Sequence, residues 1–156
     1  MKYKYHKILF TALISLLSSN IIYAEDCKAS EDSSRLTVAG GSLTEIVYLL
    51  GQEKKLIAVD ITSNYPDKAK ELPSIGYVRA LSAEGVLSLS PTLILGENDM
   101  GPPAVIEQLD RVGVQIEIIP EENTAKGIIN KVECVASILN VENEIKLAIV
   151  RDLDSI

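Results

Sequence analysis

Residues 36–51, LTVAGGSLTEIVYLLG, decide the fold. Leu36 to Ala39 is a short run of the kind that forms a strand buried on both faces. Gly40-Gly41 reads as a tight turn, and Ser42 to Leu50 carries helical spacing. Ser42 stands where an N-cap belongs, with Glu45 three residues on, so a capping box is expected, and Gly51 ends the helix. Strand, glycine turn and helix together make the first half of a βαβ unit. The same alternation continues along the chain. Leu56 to Asp60 reads as a second strand. Ile61 to Leu72 reads as a loop holding Tyr65-Pro66 and one helical turn at Asp67 to Lys70. Ser82 caps a short helix with Glu84 near its start, and Pro91 precedes a third strand, Thr92 to Leu95. Pro102 and Pro103 open a helix from Ala104 to Val112 that Gly113 closes. Gln115 to Ile119 is a fourth strand, Thr124 to Leu139 an amphipathic helix, and Glu142 begins another helix. Strands separated by helices imply an α/β fold with a short parallel sheet covered on both faces.

The first 24 residues have a different character. Lys2, Lys4 and Lys7 form a basic region, Ile8 to Leu17 an apolar one, and Ala24 a small-residue boundary, the pattern of a secretory signal peptide. The apolar run is short for a membrane anchor. Cleavage there takes the net charge from −7 to −10, because three lysines leave and no acid does. A mature chain so acidic has no basic face for nucleic acid or for an anionic membrane surface. His6, the only histidine, also leaves, and the remaining aromatic residues are Tyr48, Tyr65 and Tyr77. Residues 25–34, EDCKASEDSS, form a polar leader without periodicity. Cys27 and Cys134 are the only cysteines, in a compartment where disulfides persist; spacing leaves open whether they pair.

With histidine gone, few side chains remain that hold a metal, which gives residues 76–91, GYVRALSAEGVLSLSP, their interest. Tyr77 and Arg79 stand two apart, a spacing that puts both on one side of an extended segment. A nearby guanidinium stabilises a phenolate, and a tyrosine oxygen is a known axial ligand of haem iron. The pair is chemically suited to ferric haem.

That string, together with GGSLTEIVYLLG at 40–51, TSNYP at 62–66 and GPP at 101–103, resembles the N-terminal lobe of periplasmic haemin-binding proteins of bacterial ABC-type haem-uptake systems. These belong to a helical-backbone class of substrate-binding proteins that also serves cobalamin and siderophores. The glycine-rich and GPP stretches occur loosely across the class; the Tyr-x-Arg-x-Leu-Ser-Ala-Glu-Gly string is the specific part. The resemblance implies a Rossmann-like lobe over residues 35–140, with 141–156 the start of a truncated inter-lobe helix and the second lobe missing. It implies that Tyr77 is the axial ligand of the haem iron and that Arg79 hydrogen-bonds its phenolate. It also implies that Glu84 docks onto an inner-membrane ABC permease, and that transported ferric haem is the ligand. A ferric siderophore or cobalamin is the alternative ligand, and a non-functional remnant the alternative to any binding role.

The other candidates are plainer. Gly40-Gly41 before Ser42 lacks the glycine spacing of a nucleotide loop and reads as a turn. Tyr65 lines a cleft or simply makes a Tyr-Pro turn. Met100, in a polar loop after the third strand, is a loop filler or touches a ligand edge. Glu121-Glu122 and the pair Asp152 and Asp154 read as solvated acids. No Ser-His or Cys-His constellation survives without histidine, so an enzyme is not expected.

Overall fold

The computed structural model describes residues 27–155, so the signal-peptide expectation for 1–24 lies outside the described residues, as do Glu25, Asp26 and Ile156. Strands β1 (Leu36–Ala39), β2 (Leu56–Val59), β3 (Leu93–Glu97) and β4 (Gln115–Ile119) pair in parallel in the order β2-β1-β3-β4. Helices α1 (Gly41–Leu49), α2 (Ala83–Leu87), α3 (Pro103–Arg111), α4 (Ala125–Ile138) and α5 (Asn143–Asp154) connect and cover them. A 3₁₀ turn at Asp67–Glu71 fills the loop after β2 at the place expected.

The two faces of the sheet bury two separate apolar clusters, because alternate strand residues point to opposite sides. Leu36, Val38, Leu93 and Leu95 face α1 and α4 in the first cluster. Ala39 and Ile94 face the other way, against Val86 of α2 and Leu109 of α3. In β2 the alternation breaks: Leu56 belongs to the first cluster and Ala58 to the second. The cause is a register irregularity, since Leu36 pairs with Leu56 while Thr37 pairs with Ala58. One extra residue on β2 swaps the faces beyond it.

One expectation changes. The capping box does not form. Gly40 is the N-cap, at φ 145, and no side chain caps the helix. The cap falls two residues early, with Gly40 O accepting from Thr44 N at 3.1 Å. That places Ser42 inside the first turn, where its hydroxyl donates to Glu97 Oε1 at 2.5 Å instead. A side chain at Gly40 would place its Cβ 2.6 Å from Glu97 Cδ, so both the backbone and the space demand glycine.

The polar leader is tied to the rest of the domain. Ser30 donates to Ile138 O through both its backbone N, at 3.0 Å, and its hydroxyl, at 2.8 Å. Lys55 Nζ donates to Ser33 Oγ at 3.0 Å and to Leu139 O at 2.7 Å. Cys27 and Cys134 form a disulfide, with their Cα atoms 5.1 Å apart. The leader thereby takes the Ile138 carbonyl at the end of α4, and Lys55 takes the Leu139 carbonyl beside it.

Candidate functional site

In an open parallel sheet the ligand face lies beyond the carboxyl ends of the strands, at the point where strand order reverses. Here that point lies between β1 and β3, where Ala39 pairs with Gly96. Four loops meet along this edge: the Gly40 turn after β1, residues 60–82 after β2, residues 98–102 after β3 and residues 120–124 after β4.

Tyr77 and Arg79 stand on the second of these loops. The segment is not extended as expected. Ala80 N donates to Tyr77 O at 2.8 Å, so Tyr77 to Ala80 is a closed turn. Val78 and Leu81 are the buried anchors, at 4 and 5 % exposure, and they sink the turn into the second cluster. Tyr77 remains 41 % exposed and Arg79 is exposed with it. The turn is then bolted to the loop after β3: Gly101 N donates to Val78 O and Leu81 N to Gly101 O, both at 2.9 Å. Met100 is a packing residue of that loop. It is buried at 7 % exposure and packs over Gly96, where a Cβ would collide with its sulfur.

Arg79 finds a partner that sequence reading missed. Its Nε donates to Asp99 Oδ2 at 2.6 Å. That hydrogen bond first, then the charges of Tyr77 and Asp99, hold the guanidinium above the usual arginine range. Glu84 lies in the exposed first turn of α2, with the Ser82 hydroxyl accepting from Gly85 N at 3.3 Å as the cap. The turn brings Tyr77 and Arg79 together. Glu84 stands apart, with no hydrogen bond or ion pair to either among the described residues.

A second polar centre sits at the switch point itself. Lys131 of α4 is 8 % exposed, yet its Nζ donates to Ser42 Oγ at 2.6 Å and to Glu97 Oε1 at 3.1 Å. Glu121, expected to be merely solvated, lies 3.8 Å away from the same ammonium. Beside it, buried Asp60 accepts from Gly40 N, Thr62 N and the hydroxyls of Thr62 and Ser63, at 2.8 to 3.1 Å. The sequence held one signal for Lys131: it falls in the apolar stripe of α4 with Gly127 and Val135, where a lysine needs a partner. Asp60 carries no such signal, because an acid ending a strand is ordinarily a turn residue.

A cavity of about 1000 Å³ opens on the outer side of α1. Tyr48, Leu49, Tyr65, Ile128 and Lys131 line it, so Tyr65 does border a hollow. Tyr77 and Arg79 lie outside it. No three His, Cys, Asp or Glu residues are grouped to hold a metal ion among the described residues, and none of their helices is long and apolar enough to cross a membrane.

A parallel α/β unit of this kind hosts many functions, so the fold alone does not name the class. Residues 37–155 match the family described as Periplasmic binding protein, and the chain belongs to that family. It is similar to a solved periplasmic haem-binding protein of Pseudomonas aeruginosa, at 39 % identity and TM-score 0.72 over 78 % of this chain and 43 % of that one. A periplasmic haem-binding protein of Vibrio cholerae is similar at 34 % identity and TM-score 0.73, over 80 % of this chain and 48 % of its own. A vitamin B12-binding protein of Vibrio campbellii is 28 % identical over 113 residues, which are 72 % of this chain and 41 % of that protein. The chain thus spans less than half the length of these relatives.

Proposed function

We propose that this chain binds ferric haem in the periplasm, with the Tyr77 phenolate as axial ligand and Arg79 beside it, and delivers it to an inner-membrane ABC permease that docks at Glu84. The observation that carries this reading is the Tyr77 turn. It presents an exposed phenol at the ligand edge of the sheet, stiffened from below by Val78 and Leu81. Ferric iron favours an anionic oxygen, and a tyrosine oxygen serves as an axial ligand of haem iron. Similarity to two periplasmic haem-binding proteins supports the same ligand. The role is binding and transfer, without catalysis.

Cobalamin is the competing ligand, favoured by the vitamin B12-binding relative. Haemin and cyanocobalamin titrations of the exported chain separate the two. Haem binding is expected to produce a phenolate-ligated, high-spin spectrum. Tyr77→Phe keeps the ring and removes the oxygen, so it should weaken haemin at least tenfold, about 1.4 kcal/mol, and abolish that spectrum. Saturable cyanocobalamin binding with no response to haemin would refute the haem reading. An unchanged spectrum in Tyr77→Phe would remove Tyr77 as the ligand.

A further inference from the structure

Arg79 is tethered by a residue that neither the motif nor the family resemblance assigns. We propose that Asp99 is a positioning residue for ligand binding: it holds the Arg79 guanidinium by its Nε edge and so turns the Nη edge toward the ligand bound at Tyr77. The inference rests on the haem reading of that site.

Three observations carry it. The Asp99 carboxylate takes only the Nε–H, at 2.6 Å, and the two Nη groups make no hydrogen bond among the described residues. A guanidinium presents its donors in a rigid planar fork, so fixing one edge fixes the direction of the other. Asp99 is itself held. Its neighbour Met100 is buried in the second core cluster, and Gly101 makes two backbone hydrogen bonds to the Tyr77 turn, at 2.9 Å each. The loop after β3 and the Tyr77 turn are thus joined through their backbones, and the ion pair spans the seam between them. An arginine left free in solvent would have to surrender its rotamer freedom when the ligand arrives. Asp99 imposes that order beforehand. The pair is open to water, with side-chain exposures of 63 and 38 %, so its effect is modest rather than decisive.

The test uses the whole exported chain in two measurements. In the ligand-free protein, the Arg79 Nε–Hε resonance, assigned by its loss in Arg79→Ala, should be sharp and exchange-protected. It should broaden or vanish in Asp99→Ala and persist in Asp99→Asn, which keeps an acceptor oxygen. In haemin titrations, Asp99→Ala should bind roughly two- to fivefold more weakly than the parent, with a spectrum displaced toward that of Arg79→Ala. Asp99→Asn should restore most of the affinity. In an Arg79→Ala background, Asp99→Ala should add nothing. An equal loss in that background would mean that Asp99 supports the loop and not the arginine. Tighter binding by Asp99→Ala would mean that it competes for Arg79, and a sharp Arg79 resonance in Asp99→Ala would mean that it orients nothing; each overturns the proposal. Failure of the parent to bind haemin would sink the haem reading instead, and the resonance would still decide whether Asp99 orients Arg79.

Discussion

At the residue scale, the contrast between Arg79 and Lys131 is instructive. Both cations pair with acids on or just after β3, but one pair faces water and the other does not. Arg79 with Asp99 is exposed, so its worth lies in direction more than in stability. Lys131 with Glu97 is sequestered, at 8 and 17 % exposure, and joins α4, β3 and the first turn of α1 through Ser42. Removing one partner of such a pair strands the other charge away from water. Lys131→Met is therefore expected to cost about 3 kcal/mol, towards the low end for a buried pair because the Ser42 hydroxyl still reaches Glu97. Urea denaturation measures it, and a loss below about 1 kcal/mol, the range of an exposed pair, would show that water reaches Glu97 freely.

At the scale of elements, α2 shows how a five-residue helix is worth having. Its Ser82 cap, its dipole-matched Glu84 and the buried Val86 hold one turn of helix directly after the Tyr77 turn. That leaves Glu84 exposed, with no hydrogen bond or ion pair to Tyr77 or Arg79 among the described residues. Glu84→Lys should leave haemin affinity unchanged and slow transfer into permease-containing vesicles on the order of tenfold at low salt, because attraction becomes repulsion at a docking surface. Transfer at the parent rate would remove Glu84 from the docking role. The strands and longer helices fell where apolar spacing put them, with ends displaced by one or two residues, as Thr92 to Leu95 against the observed Leu93–Glu97 shows. The capping box failed for a nameable reason. Gly40 tolerates φ 145 and begins the helix early, and a buried lysine and glutamate outbid the helix end for the Ser42 hydroxyl.

At the scale of the molecule, the leader and the disulfide join the first described residues to α4, across 107 positions of sequence. Closing a loop of that size restricts the unfolded chain, a stabilisation of about 4 to 5 kcal/mol in the chain-entropy account. Reduction should lower the urea midpoint accordingly, with Ser30, whose amide donates to Ile138 O, losing protection first because it lies near the released end. A midpoint indifferent to reductant would mean that the hydrogen bonds of Ser30 and Lys55 hold the leader without the bond.

Local pattern determined the order of elements, the parallel sheet, the two-sided burial of its strands and the presence of a tyrosine and an arginine beside a short capped helix. These follow from spacing, glycine and proline placement and apolar runs, all of which act over a few residues. Tertiary structure alone decided the partners. Asp99 meets Arg79 from 20 positions away and Lys131 meets Ser42 from 89. Whether two cysteines pair, whether a serine caps or bridges, and which edge of a guanidinium is free depend on distances between chain segments. No periodicity encodes those distances, because they arise only when separate elements pack against one sheet.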